Sequence, residues 1–411
     1  MNLHRHLSLT VAAVVLSLVP AAQVAAGEAA GPPRSTPTGG PPACAAAPPR
    51  ARPLTDVDKG LRRQVYAFLN GYQIDYARDN LDYSVLSDVA YFSVNVERDG
   101  RLRRCNQNGT TNRRWALWAG AGMTEIINEA HAAGTRIVLT VTQFAWTPAG
   151  AEDMVALLSD RTARLRLAEQ IARAVVERGV DGVNIDFEPI PASQKTNFVR
   201  LVRAVRRALD ARDPSYGLTY AATGHIANYD VAALTGPGAA DAVFIMGYHY
   251  RGSWSRRAGS IAPLSGPNYD VSDTVERFLA RTTADRIILG VPYYGFMWST
   301  TGPEVRSTVQ SSVADYGSSR SVTYQSAIAL ARQHGRLWDP VEQSPWTRFR
   351  YRACSTCPET WRQMYYDDAR SLGLKYDLVN RRDLLGAGIW ALGYEGPGGQ
   401  LDEVLRRKFV E

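Results

Sequence analysis

A short stretch near the middle of the chain, GVDGVNIDFEPI (residues 179–190), holds residue types that can carry out acid–base chemistry. Apolar residues alternate there with Asn184, Asp186 and Glu188, and these three share one face because side chains alternate across a β-strand. Carboxylates on a buried face are costly unless they are paired or functional. The pattern predicts a catalytic site with Glu188 outermost, Asp186 one layer deeper and Asn184 deeper still; the alternative is a structural polar network.

Strand-like and helix-like segments alternate along the chain from about residue 64, and several of the helix-like segments are amphipathic. The eight strand candidates are VYAFLNGYQ, DVAYFSVNV, RIVLTVTQF, VDGVNIDFEPI, GLTYAATG, DAVFIMGYHY, RIILGVPYYG and GIWALGYEG. Such alternation calls for parallel strands joined by right-handed crossovers. Eight units predict an α/β protein with a closed (β/α)8 TIM barrel, whose active site lies at the carboxyl ends of the strands. Glu188 then stands at the barrel rim.

The segment from about residue 301 to 363 does not fit this alternation. It contains Trp338, Trp346 and Trp361 together with a C-x-x-C pair. We predict that it is a small insertion after the seventh strand, at the same end of the barrel as the candidate site.

The chain contains four cysteines, which allow three disulfide pairings. We prefer the pairing of Cys354 with Cys357 and of Cys44 with Cys105. A lone C-x-x-C pair is a weak indication of metal or redox chemistry, and neither a second pair nor a nearby histidine supports zinc. We therefore expect no metal and no cofactor.

The amino terminus follows the three-part pattern of a secretory signal peptide: a short basic segment, an apolar run and small residues before Gly27. The alternative is a membrane anchor, against which Pro20 and the small-residue cleavage site argue. We expect a signal peptide at residues 1–26, a Pro/Ala/Gly-rich linker at 27–53 and one folded domain at 54–411. The mature protein would be secreted, extracellular or associated with a cell wall, and not bound to a membrane.

The formal net charge of +7 comes mostly from arginines that alternate with acidic residues along the chain. Because no Lys/Arg block stands beside clustered aromatic residues, we expect no nucleic-acid partner. Weak attraction to an anionic surface such as a cell wall stays open. We expect a monomer.

Four segments carry a resemblance to family 18 glycoside hydrolases, the chitinase family. DGVNIDFE is similar to the fourth-strand signature D-G-x-x-x-D-x-E, in which the glutamate is the acid, and IMGYHY resembles the sixth-strand motif M-x-Y-D. GVPYYGFMW and GAGIWALGY resemble the seventh and eighth units. The motifs occur in the family's order and cover residues 64–405, so together they are more specific than any one alone.

The chain departs from the family pattern at three places. Asn184 occupies a position where many chitinases have Asp, as in the branch that resembles chitobiases and spore-cortex peptidoglycan hydrolases. His249 replaces the Asp of M-x-Y-D, and TVTQ (residues 140–143) stands where the family often has S-x-G-G. Because neither Asn184 nor His249 supplies a negative charge near the acid, we expect an activity profile shifted toward acid pH unless burial compensates.

The resemblance implies substrate-assisted hydrolysis, in which the sugar's own acetamido group is the nucleophile and the anomeric configuration is retained. Glu188 would be the general acid and base, Asp186 would hold the acetamide N–H, Tyr248 would hold its carbonyl oxygen and Trp390 would form an apolar floor. Asn184 is expected to anchor Asp186 by a hydrogen bond. The remaining substrate-binding candidates are Met246, His249, Tyr72, Tyr91, Tyr294, Trp298 and Trp254.

The implied ligand is a polysaccharide or oligosaccharide that contains N-acetylglucosamine. Chitin, chito-oligosaccharides, peptidoglycan and N-glycan cores all contain a β-linked sugar of this kind. Two other functions compete: a non-catalytic chitin-binding lectin on the same barrel, and a barrel hydrolase with an ordinary carboxylate pair. The lectin would lack the acid Glu188, and the second hydrolase would need another acid, for which Glu395 is the candidate.

Overall fold

The computed structural model describes residues 44, 47–226 and 228–410. The predicted signal peptide (1–26) lies outside the described residues, as does most of the predicted linker (27–53). None of the helices in the described part of the chain is long and apolar enough to cross a membrane.

The core of the molecule is a closed barrel of eight parallel strands. The strands of the chain are β1 (Gln64–Asn70), β2 (Asp88–Asn95), β3 (Arg136–Phe144), β4 (Gly182–Glu188), β5 (Gly217–Thr223), β6 (Ala242–Met246), β7 (Ile287–Pro292), β8 (Tyr294–Thr300), β9 (Arg320–Thr323), β10 (Leu337–Asp339), β11 (Ser344–Arg352), β12 (Glu359–Tyr365) and β13 (Gly386–Leu392). The order around the barrel is β1-β13-β7-β6-β5-β4-β3-β2. The predicted (β/α)8 barrel is confirmed.

Helices connect successive barrel strands and pack around them. They are α1 (Ile74–Asn80), α2 (Arg113–Ala119), α3 (Ala121–Ala132), α4 (Pro148–Ser159), α5 (Arg161–Arg178), α6 (Lys195–Asp210), α7 (Val231–Leu234), α8 (Val271–Leu279), α9 (Val313–Tyr316), α10 (Tyr324–His334), α11 (Ala369–Arg381) and α12 (Gln400–Phe409). Helix α5 ends at Gly179, whose φ of 70° is a left-handed conformation that glycine adopts without a steric penalty. This end of α5 sends the chain directly into β4, the strand of the candidate site.

A second sheet follows the seventh barrel strand. Its five antiparallel strands have the order β10-β11-β12-β8-β9. The apolar run RIILGVPYYG, read from the sequence as one strand, is divided between β7 and β8 at Tyr293. The second sheet therefore starts at Tyr294 and ends at Tyr365, whereas the sequence placed the insertion at about 301–363.

Two disulfides join the four cysteines in the preferred pairing. Cys44 pairs with Cys105, with 5.5 Å between their Cα atoms, and Cys354 pairs with Cys357, with 5.0 Å. The first bond ties the chain ahead of the barrel to the loop between β2 and α2, and the second closes the turn between β11 and β12. The predicted pairing is confirmed.

Candidate active site

Strand β4 sorts its side chains onto two faces. Phe187 packs toward the helix layer, where its ring centroid lies 6.0 Å from that of Phe198 in α6. On the other face Asn184 is fully buried, Asp186 is 4% exposed, and Glu188, the last residue of the strand, is partly exposed. The structure therefore shows the order of depth that the alternation predicted.

The carboxyl groups of Asp186 and Glu188 are neighbours on one face of β4. Burial raises the pKa of both groups, and the charge of Asp186 raises the pKa of Glu188 further. The pair therefore holds a proton above the pH at which an exposed carboxyl would lose it. Burial thus acts against the acid shift of the activity profile expected from the sequence, and that shift stays a prediction.

Asn184 does not anchor Asp186, which corrects the expectation from the sequence. Its amide nitrogen donates to Thr219 Oγ1 at 2.8 Å, and the Tyr66 hydroxyl lies 3.2 Å from the same oxygen. Thr219 and Asn184 are register partners on β5 and β4. Asn184 therefore belongs to a polar layer below the site, while Asp186 Oδ1 has no hydrogen-bond partner among the described residues.

Asp186 and Glu188 open into a cavity of about 630 Å³ at the carboxyl ends of the strands. Nine of the predicted site residues line this cavity: Glu188, Asp186, Tyr248, Trp390, Met246, His249, Tyr72, Tyr91 and Tyr294. Eleven of the 24 residues that line it are Phe, Tyr or Trp. The candidate site is thus a deep, largely apolar cleft with a carboxyl pair at its base, as is typical of small-molecule sites.

Trp390 packs among aromatic rings from neighbouring strands. Its ring centroid lies 4.7 Å from that of Phe92 in an edge-to-face arrangement and 5.6 Å from that of Phe68. Phe68 in turn meets Phe244 edge-to-face at 4.8 Å. Trp390 remains partly exposed to the cavity, so these rings hold an indole surface rigidly where an apolar sugar face can rest on it.

Tyr248 and His249 follow the end of β6 and are coupled to Tyr294. The Tyr248 ring meets Tyr294 edge-to-face at 6.1 Å, and burial, followed by the neighbouring Tyr294 and Glu188, raises its pKa, so that its hydroxyl keeps its proton. His249 adopts a left-handed backbone conformation with φ of 64°. Burial disfavours the charged imidazolium and lowers the pKa of His249 to about 4, so its imidazole is neutral at physiological pH.

Four of the remaining candidates divide into two groups. Tyr72 and Tyr91 lie on the cavity wall: the Tyr72 hydroxyl is 2.5 Å from the Tyr394 hydroxyl, and the Tyr91 hydroxyl donates to the Arg114 carbonyl at 2.7 Å. Trp298 and Trp254 are not among the residues that line the cavity. Trp298 is fully buried in the second sheet, where its indole N–H donates to the Gly252 carbonyl, so the outer-subsite role expected for it is wrong. Trp254, two residues after Gly252, is exposed, and the outer-subsite role expected for it stays a prediction.

Sequence reasoning missed several residues of the cavity wall. Phe144, the last residue of β3, and Trp146, two residues further on, are stacked with centroids 4.0 Å apart, and both are partly exposed. Their i, i+2 spacing at the end of a predicted strand was the available signal. Arg113 and Arg114 also line the cavity, and no motif or spacing in the sequence marked them.

Glu395, the candidate for a second catalytic acid, faces away from this cavity. Its carboxylate accepts the Gly393 N–H at 3.0 Å and lines a separate pocket beside α12. Among the described residues the carboxylates of the main cavity are Asp186 and Glu188 alone. No group of three or more His, Cys, Asp or Glu side chains in the described chain is arranged to hold a metal ion.

The chain is thus a (β/α)8 barrel protein with a carboxyl pair at the end of its fourth strand, and comparison with known proteins gives the family. The model described as glycosyl hydrolases family 18 matches residues 75–395. The chain belongs to this family. It is 29% identical over 246 residues to the sporulation-specific glycosylase YdhD of Bacillus subtilis (strain 168), covering 57% of this chain and 52% of that protein. It thus spans about half the length of this relative.

Two solved structures share the fold. The spore cortex-lytic enzyme SleL of Bacillus cereus superposes with a TM-score of 0.65 at 21% identity, covering 84% of this chain and 74% of that one. A family 18 chitinase of Cycas revoluta, solved as a mutant in complex with (GlcNAc)4, has a TM-score of 0.68 at 17% identity and covers 84% and 99%. At these identities the likeness shows the fold alone.

Proposed function

We propose that the protein is a secreted glycoside hydrolase that cleaves β-linked N-acetylglucosamine in chitin, chito-oligosaccharides or peptidoglycan, with retention of the anomeric configuration. The observation that carries this proposal is the pair of carboxyl groups, Asp186 and Glu188, on one face of β4 at the base of a largely apolar cavity. The two disulfides and the signal-peptide pattern support secretion, because disulfides persist in oxidising compartments.

The placement of the two carboxyl groups favours substrate assistance. Ordinary retaining and inverting glycosidases use a pair of carboxyl groups that flank the scissile bond. Asp186 and Glu188 are neighbours on one face of a single strand, and no other carboxylate of the described residues lines the cavity, so no carboxylate stands across the cavity from Glu188. The nucleophile must then come from elsewhere, and the acetamido oxygen of the substrate supplies it.

In the first step, Glu188 donates its proton to the glycosidic oxygen as the bond from that oxygen to the anomeric carbon breaks. The acetamido carbonyl oxygen bonds to the anomeric carbon and forms an oxazolinium ion. Asp186 accepts a hydrogen bond from the acetamide N–H and stabilises its positive charge. Tyr248 donates to the acetamido oxygen and holds it in line for attack, while Trp390 supports the sugar from below.

In the second step, water attacks the anomeric carbon and opens the oxazolinium ring. The Glu188 carboxylate takes a proton from that water and so returns to its starting state. Because two displacements occur at the same carbon, the anomeric configuration is retained.

The test is digestion of chitin, chito-oligosaccharides and peptidoglycan with the full chain, with the products identified by mass spectrometry. We expect release of fragments that end in N-acetylglucosamine, and no cleavage of matched glucose-based oligosaccharides, which lack the acetamido nucleophile. Glu188→Gln should reduce turnover by roughly a hundredfold or more while oligosaccharide binding survives. Equal turnover by the wild type and Glu188→Gln would show that another group is the acid, and binding without any cleavage by the wild type would favour the lectin alternative.

A further inference from the structure

Two arginines share the cavity with the carboxyl pair. Arg113 and Arg114 are the first two residues of α2, both are exposed, and both line the cavity on the side of β2. Tyr91 from β2 holds the backbone beneath them, because its hydroxyl donates to the Arg114 carbonyl at 2.7 Å. The charged groups are thus carried on a fixed part of the cavity wall.

Neither arginine is neutralised within the described part of the chain. The Arg114 guanidinium donates to the neutral hydroxyl of Ser93 at 2.7 Å, and Arg113 makes no side-chain hydrogen bond or ion pair with the described residues. Most surface arginines near the same loop are paired; Arg103, for example, binds the Glu97 carboxylate through two nitrogens. The cavity therefore presents two guanidinium groups that still have N–H donors available to bind a ligand.

The remaining ionisable groups on the cavity wall offset only part of this positive charge. Asp186 and Glu188 together hold a proton and so carry one negative charge, and the imidazole of His249 is neutral. A cleft with low-dielectric walls focuses the field of the charges it carries. The field at the mouth of this cavity is therefore positive and favours an anionic ligand.

Chitin and its oligosaccharides are neutral: their hydroxyl and carbonyl oxygens can accept hydrogen bonds from guanidinium groups, but they do not balance the two positive charges. A carboxylate does match, because the planar guanidinium binds it through two parallel hydrogen bonds. We infer that the substrate is an acidic glycan, in which sugars next to the cleaved N-acetylglucosamine carry a carboxylate that Arg113 and Arg114 bind. This inference rests on the proposed function and narrows its substrate class.

The experiment compares oligosaccharides of equal length with N-acetylglucosamine at the cleaved bond. The first is a chito-oligosaccharide, the second carries free lactyl-ether carboxylates on alternate sugars, the third is the methyl ester of the second, and the fourth carries a short acidic peptide on the lactyl group. Wild-type protein, Arg113→Gln, Arg114→Gln and Arg203→Gln are assayed on each. Arg203 is the matched control, because it is an exposed arginine on α6 that is not among the residues lining the cavity.

We expect the wild type to cleave an acidic form with a kcat/KM about tenfold or more above that of the methyl ester, which corresponds to one charge-assisted hydrogen bond. Arg113→Gln should reduce cleavage of the preferred acidic form to about the level of the ester, with a much smaller effect on the ester and the chito-oligosaccharide, and Arg203→Gln should change nothing. The preferred acidic form identifies whether the sugar or its peptide carries the carboxylate. Loss of the hydrogen bond from Arg114 to Ser93 could disturb the fold in Arg114→Gln; in that case the comparison between Arg113→Gln and the wild type decides the test.

Three results would overturn the inference while the proposed function stands. One is cleavage of both acidic forms by the wild type no better than that of the methyl ester. Another is an equal loss on all substrates in Arg113→Gln, which indicates a role unrelated to charge. The third is the same loss of preference in Arg203→Gln, which indicates a diffuse effect of net charge. Failure of the wild type to cleave any of the four refutes the proposed function itself.

Discussion

At the scale of single residues, the proton held by Asp186 and Glu188 responds to every charge in their cavity, because burial removes the water that would screen it. Loss of the Glu188 proton sets the alkaline limb of activity. In Asp186→Asn a negative charge that raises the pKa of Glu188 is gone, so the limb should move to lower pH. His249→Asp adds a negative charge to the same wall, and the limb should move to higher pH.

These opposite shifts are measured as kcat/KM against pH on one soluble oligosaccharide for the wild type and both variants. Aspartate tolerates the left-handed backbone conformation at position 249, so the second substitution does not strain the chain. Asp186→Asn should also lower kcat, since an amide stabilises the oxazolinium charge less than a carboxylate does. Curves that superimpose, or that shift in the same direction, would contradict the electrostatic account of the pair.

At the scale of elements, the turn between α5 and β4 fixes the direction in which the site strand enters the barrel. Gly179→Ala places a Cβ on a residue with φ of 70°, where it meets Arg50 Cγ at 3.1 Å. We expect the free energy of unfolding to fall by about 1–2 kcal/mol, measured by urea unfolding. Gly179→Asn should lose less, because asparagine adopts this conformation more readily. A loss in Gly179→Asn as large as that in Gly179→Ala would contradict the backbone argument.

The barrel strands and the depth order on β4 could be predicted, because both follow from the two-residue period of a strand and from helices of ordinary length. The division between β7 and β8 could not, since the apolar run continues through Tyr293, and the break is a change of pairing partner: Pro292 pairs with Trp390 in the barrel, whereas Tyr294 pairs with Thr323 in the second sheet. The hydrogen-bond partner of Asn184 could not be predicted either, because Thr219 lies on another strand 35 residues away. Local patterns thus predicted the strands and helices, whereas the strand break and the partner of Asn184 depend on contacts between elements.

At the scale of the whole molecule, the two disulfides differ in the length of chain that they close. Cys44 and Cys105 are 61 residues apart, whereas Cys354 and Cys357 are 3 apart. Because the entropy that a cross-link removes from the unfolded chain grows with loop length, the first bond should contribute about 4 kcal/mol to the free energy of unfolding and the second about 1.6 kcal/mol.

The comparison uses two double variants, Cys44→Ser with Cys105→Ser and Cys354→Ser with Cys357→Ser, unfolded in urea without reductant. Each serves as the control for the other, since both lose one disulfide and gain two hydroxyls. The loss should be clearly greater for the first pair, because only that bond joins the chain ahead of β1 to the loop that leads into α2. Equal losses would mean that local packing around each bond, and not loop closure, sets its contribution.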